Sequence, residues 1–231
     1  MDSYLARIVD RDLPHQGFTV WDRNGLMAWL AAYAAVSSTT MNYGELLAAA
    51  TAGQPNKPAK STTLRYRKRL QEMWLLDEVP AWHFTRSPFA GLASSPKHQL
   101  ADPAFALRLS SIPASQLATP GRAYILGPLF ESLGTLSVRV AVESLFGRVG
   151  HLRTVRGEHE VALIAEDQDG RIVAFEVKLS THATDDDVRH LHWLREKVGD
   201  AMADAVVVTM GTRAYRRPDG IAVVPLALLE M

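Results

Sequence analysis

Glu176 and Lys178 stand one residue apart in AFEVKLS, at the end of an otherwise apolar run. A carboxylate and an ammonium at that spacing share one face of a strand. They suit metal-assisted hydrolysis: the acid holds Mg²⁺, and the lysine steadies an attacking water or a developing negative charge. The same tripeptide also serves as a half-exposed ion pair. Glu160, in EHEVALIAED, lies on the neighbouring segment, and period two puts Glu158 and Ala162 on its face. Glu131, in GPLFESL, falls in the first turn of an expected helix, where a carboxylate also complements the helix dipole.

The elements that must position these residues are legible in outline. Val161, Leu163 and Ala165 alternate with Glu160, Ala162 and Ile164, and a second alternating run covers Ile172 to Lys178. Between them Asp167-Gln168-Asp169-Gly170 supplies the Asp-Gly pair of a tight hairpin. Gly127-Pro128 is expected to open a long helix to about Phe146, followed by a strand over Val149–Val155 and then this hairpin. A crossover helix over Asp185–Lys197, a buried strand at Asp204–Thr209 and a last strand at Ile221–Val224 complete the pattern. Helix, three strands, helix, strand is the order of a restriction-endonuclease-like core. Glu176-x-Lys178 also resembles the third motif of the PD-(D/E)XK nuclease superfamily. That superfamily's second motif is an Asp one hairpin strand earlier, where this chain has Ala162.

The first third of the chain predicts a different unit. A short amphipathic helix over residues 3 to 11 ends at Asp12-Leu13-Pro14, and Leu26 to Val36 is apolar at helical spacing. Asn42 to Glu45 reads as a capping box for a helix to Ala50. After a turn at Thr51–Lys60, Ser61 or Thr62 caps a third helix to about Leu75. The extended segment Glu78–Phe84 then suggests a winged helix-turn-helix. On the third helix, Tyr66, Leu70, Met73 and Trp74 form the expected core stripe, while Arg65, Lys68 and Arg69 share another face. With Lys57, Lys60 and Arg67 they make a run of six basic residues suited to DNA phosphates or to plain solvation. Gly53–Ser61 only superficially suggests a phosphate loop. Pro55 and Pro58 remove N–H donors and the Gly–Lys spacing is wrong, so no nucleotide is expected there.

Composition narrows the rest. The 25 basic and 25 acidic residues balance, so any nucleic-acid surface is local. Zero cysteines exclude disulfides and thiolate metal sites and agree with a cytoplasmic location. The start lacks a signal-peptide core, and Leu26–Val36 is too short for a bilayer, so no membrane is expected. His190 and His192 point to different helix faces and read as surface residues. Short helices followed by alternating strands define an α/β chain: a linker helix over 1–23, a winged-helix-like domain over 24–84 and a nuclease-like domain over 85–231.

The pieces PKHQLADPAFALRL, GPLFESL, RGEHEVALIAED, AFEVKLS, HLHWLREKVGD and RRPDGIAVVPLALL resemble the C-terminal domain of unknown function of prokaryotic AAA-type ATP-binding proteins. RIVDRDLP and the winged-helix-like region resemble the linker that precedes it. The resemblance implies a PD-(D/E)XK-like fold with Glu131, Glu160, Glu176 and Lys178 at motif positions, and Glu131 and Glu176 as weak Mg²⁺ ligands. It departs from the family twice: Glu-Val-Asp is here Glu160-Val161-Ala162, and the chain carries no ATPase motif. Three readings stay open: a DNA-binding protein with a crippled nuclease centre, a working Mg²⁺ nuclease whose carboxylate has migrated to Glu160 or Glu158, or a non-enzymatic interaction module. DNA, a second copy of the chain and an ATPase are the partners these readings imply.

Overall fold

Leu26, Trp29, Leu30 and Tyr33 recur at helical spacing, and all four are buried on one stripe of α3 (Arg23–Ala35). The computed structural model that places them describes residues 2–52, 59–84, 95–117, 119, 123–154 and 157–229. The chain divides into two compact units, Met1–Glu78 with Lys97–Ile125, and Val79–Pro96 with Leu126–Met231. Lys57, most of the Gly53–Ser61 loop and Val155 lie outside the described residues.

The first unit is helical. The expected helix over residues 3 to 11 is α1 (Asp2–Arg7), which widens into a π turn at Ile8–Asp12 and closes as α2 (Leu13–His15). Asp22 caps α3 by accepting from the Gly25 N–H at 2.8 Å. Asn42 caps α4 (Tyr43–Ala50) by accepting from Glu45 at 3.0 Å, and Asp102 caps α6 (Pro103–Leu109) through Ala104 at 2.7 Å.

Two expectations for α5 (Lys60–Glu72) are corrected. Its N-cap is Ala59 with no side-chain hydrogen bond, because the helix begins before Ser61 and Thr62 and takes them into its first turn. Tyr66 and Leu70 are buried as expected, but Trp74 is 78% exposed. The helix stops at Glu72 and Trp74 turns left-handed (φ +56°), so Leu75 and Leu76 enter the core in its place. Beyond this turn Leu76 bridges Leu100 in antiparallel fashion, and Asp77 N–H donates to the Gln99 carbonyl at 2.9 Å.

The second unit is a six-stranded mixed sheet in the order β1-β2-β3-β4-β6-β5. The strands are β1 (Arg148–Arg153), β2 (Glu160–Glu166), β3 (Ile172–Val177), β4 (Met202–Thr209), β5 (Tyr215–Arg216) and β6 (Ala222–Pro225). The β2–β3 hairpin closes where Asp167 Oδ1 accepts from the N–H groups of Asp169 and Arg171, with Gly170 at φ +81°. β3, β4 and β6 run parallel, and α8 (Asp185–Val198) makes the crossover from β3 to β4. The edge strand β5 carries no apolar run, so its sequence does not announce it. Val188, Leu191, Leu194 and Val198 of α8 pack on one cluster of sheet residues; Val138 of α7 (Ala123–Ser144) belongs to another.

The long helix departs from expectation at its start. It begins at Ala123, so Pro128 lies inside it and Glu131 is beyond its first turn. Pro128 lacks the N–H that would bond back to Tyr124, a loss confined to one early helical position. The helix-dipole reason for an acid at 131 therefore fails. Tyr124–Ser144 is also long and apolar enough to cross a bilayer by length and composition, with mean hydropathy 1.3. It packs on the sheet through one stripe: Val138 is buried, Phe130 and Val142 lie against the same cluster, and Leu133 and Val140 are exposed.

Candidate functional site

Glu176 is the next-to-last residue of β3 and only 6% exposed. Such burial of a carboxylate needs compensation, and Lys178 supplies it: Nζ lies 3.2 Å from Glu176 Oε2. The Lys178 backbone N–H donates to the Val208 carbonyl at 2.9 Å, which continues the parallel ladder past β3 and fixes the lysine at its end. Asp187, in the first turn of α8, reaches Nζ at 4.0 Å. Burial disfavours the charged ammonium, but Glu176, Asp187 and Glu131 outweigh it and hold the Lys178 pKa above its usual value. Glu131 of α7 is thus within electrostatic reach of Lys178. The fold gathers Glu131, Glu176 and Lys178 from a helix and a strand far apart in sequence.

Asp187 went unnoticed in the sequence. Its carboxylate closes a capping box with Thr184, accepting from the backbone N–H at 2.9 Å and from Oγ1 at 2.7 Å. Burial would raise its pKa, but these bonds, with Lys178 and Arg217, keep it below the ordinary aspartate value. Threonine followed three residues later by an acid was the available signal.

Glu160 is placed differently. It pairs with Arg153 across the β1–β2 ladder at 3.6 Å, with both side chains well exposed. The strand that carries it also breaks strict alternation. Gly150 pairs with Ile164 but Leu152 pairs with Val161, two steps along β1 against three along β2. This bulge at Ala162–Leu163 sends Val161 and Ile164 into the α8-side cluster and Ala162, Leu163 and Ala165 into the other. The β2–β3 pairs end at Leu163 and Phe175. Beyond them Ala162 neighbours Glu176 along the backbone, but the bulge turns its methyl into the cluster of Phe175 and Val177. Alternation puts Glu176 on the other face, that of Ile172 and Ala174. Ala162 is buried, and the strand beside Glu176 offers a methyl group and no carboxylate at this position.

The donor set does not fit Mg²⁺. The ion asks for near-octahedral oxygen ligation at short distance. Here Glu176 is held by Lys178, and among the described residues no group of three His, Asp or Glu is arranged to hold a metal.

A pair of histidines borders this site. His190 Nδ1 lies 3.2 Å from His159 Nδ1, and the His159 ring stacks on Trp193 at 4.0 Å. Arg189 Nε donates to His190 Nε2 at 3.0 Å, so that nitrogen is the acceptor and Nδ1 carries the proton toward His159. Burial, then the nearby Arg189, His159 and Lys178, lower the His190 pKa. His192 faces elsewhere and meets Asp219 at 3.1 Å. No spacing rule pairs residue 159 with residue 190; only the packing of α8 does.

In the first unit, the Arg65 guanidinium lies 5.4 Å from the Phe18 ring centroid. Lys68 is 75% exposed, 4.0 Å from Glu72, and Arg69 bonds the same Glu72 at 2.6 Å. The basic run therefore ends on an acid that takes two of its charges. Such exposed pairs contribute little, typically well under about 1 kcal/mol, and leave both cations able to exchange Glu72 for a phosphate.

Comparison with known families follows this division. Residues 1–116 match a domain of unknown function, DUF8612, and residues 126–229 match another, DUF4143. No curated protein matches. Among solved structures, a refined half-complex from the tetradecameric assembly of Thermococcus gammatolerans McrB AAA+ hexamers with bound McrC is similar at 11% identity. That match has a TM-score of 0.32 and covers 87% of this chain and 70% of the other.

Proposed function

We propose that this chain, which belongs to the DUF8612 family through residues 1–116, is a DNA-binding protein whose C-terminal unit is a nuclease-like domain without metal-dependent cleavage. The observation that carries the reading is the Glu176–Lys178 pair. It lies at the end of a central strand with Glu131 in electrostatic reach and a buried methyl group at Ala162. The helix–three strands–helix–strand order and the pair's position agree with a PD-(D/E)XK-like core. Without the second carboxylate, Glu176 has Lys178 as its partner and no step through Mg²⁺ can be built. The basic face of α5 supports duplex contact in a winged-helix-like unit. The resemblance of the C-terminal pieces to a domain of AAA-type proteins supports an ATPase as partner.

Calorimetry with Mg²⁺ and Mn²⁺ tests the centre. The native chain should bind neither below millimolar concentration, and Ala162→Asp should tighten binding by at least about tenfold, near 1.4 kcal/mol. Ala162→Asn, similar in size but uncharged, should not. Tight binding by the native chain that is lost on Glu160→Gln would overturn the reading and show a migrated, working site.

A further inference from the structure

The first unit holds a pocket that neither the basic face nor the sheet site uses. Its volume is about 360 Å³, and Trp29 of α3, Tyr43 and Leu47 of α4, and Leu64 and Arg67 of α5 line it, with Lys60 among its residues. The walls are mainly apolar. This size and lining fall at the small end of small-molecule sites, which are apolar with a few placed polar groups.

Two of those polar groups, Arg67 and Lys60, are cations with no acid paired to them among the described residues. Arg67 lays its guanidinium over the Tyr43 ring at 4.1 Å, and its Nε is buried with no hydrogen-bond partner. An unmade bond at a buried charged donor is costly, about 1–3 kcal/mol or more. The ring face offsets part of the charge and leaves the N–H direction unanswered. Lys60, at the start of α5, is exposed and has no carboxylate partner among the described residues. A buried, orphaned Arg nitrogen therefore stands next to an apolar cavity that Arg67 and Lys60 both line.

We propose that this pocket binds a small aromatic carboxylate, its ring against Trp29, Leu47 and Leu64 and its carboxylate on Arg67 and Lys60. A carboxylate matches the planar fork of a guanidinium better than a spherical anion does. The apolar walls select a hydrocarbon body over a sugar, and the volume accommodates one or two fused rings. The site stands whether or not α5 meets DNA.

The probes are 2-naphthoate and its neutral analogue 2-naphthol, titrated calorimetrically into the full chain. Native protein should bind the carboxylate in the micromolar range and at least tenfold more tightly than the naphthol. Arg67→Met keeps an apolar stem on Tyr43 and removes the charge, so it should lose that preference while retaining naphthol. Leu47→Trp fills the cavity and should abolish both; a circular dichroism melt confirms that each variant folds. If Leu47→Trp does not fold, the carboxylate preference and its loss in Arg67→Met decide alone. No naphthoate binding by the native chain, or the same preference in Arg67→Met, would overturn the proposal.

Discussion

Glu78 shows how far one residue's chemistry is set by its neighbours. Its carboxylate accepts hydrogen bonds from the hydroxyls of Tyr33, at 3.3 Å, and Tyr43, and His98 Nδ1 is 4.0 Å away. Burial pushes the Glu78 pKa up to about 7 against the opposing Tyr33 bond, and burial likewise drives the His98 pKa down. A carboxyl with a folded pKa above its unfolded value of 4.5 holds its proton more tightly in the native state. Stability should therefore decline as pH rises from about 4.5 to about 7 and level off above. Glu78→Gln should flatten that slope in urea titrations run at several pH values. A slope unchanged in the variant would place its origin elsewhere. Tyr33, Glu78 and His98 lie far apart in the chain, and no periodicity in the sequence connects them. Glu176 and Lys178 were legible because two residues on one strand carry their own geometry.

At the scale of elements, some helix ends were legible where a polar side chain satisfies an orphan N–H, while the caps at Asp22 and Thr184 went unread. Asn42 and Asp102 cap as their residue types require. α5 was misread because the chain starts it on Ala59 without such a bond, and α7 because its first turn precedes Pro128. The capping box at Thr184 carries more than helix stability. The Thr184 backbone and hydroxyl bonds orient the same Asp187 that faces Lys178. Thr184→Ala should lower unfolding stability by about 1 kcal/mol, read as a shift in urea midpoint at constant slope. Thr184→Ser, which keeps the hydroxyl, should recover most of it. Equal midpoints for Ala and Ser variants would mean that the hydroxyl contributes nothing to the cap.

For the molecule as a whole, the balance of 25 basic and 25 acidic residues removes any long-range pull toward nucleic acid. Duplex binding must then be carried by a local face, and Arg65, Lys68 and Arg69 of α5 are the face proposed for it. If those three meet phosphates, the logarithm of affinity should fall with the logarithm of salt with a slope of about −3. Reversing all three charges should abolish binding to duplexes of any sequence, measured by fluorescence anisotropy at low salt. Retained affinity in the triple variant would reassign the face to solvation. The pairing of Lys68 and Arg69 with Glu72 makes a further point: Glu72→Gln should strengthen binding severalfold, because the phosphate no longer competes with a carboxylate.

The sequence by itself determined the features that depend on near neighbours. The hairpin turn at Asp167–Gly170, the apolar stripe of α3, the buried run of β4 and the approach of Glu176 to Lys178 all follow from residue type and short spacing. Tertiary structure alone decided the rest. The bulge that sets the directions of Val161 and Ala162 arises from how β2 pairs with β1, and alternation within one strand cannot reveal it. Glu131 comes within electrostatic reach of Lys178 because α7 packs on the sheet, and His159 meets His190 because α8 does. Trp74 is exposed because the chain turns left-handed there and lets two leucines take the core instead. In each case the deciding energy comes from burying surface shared by segments distant in sequence, which no local pattern contains.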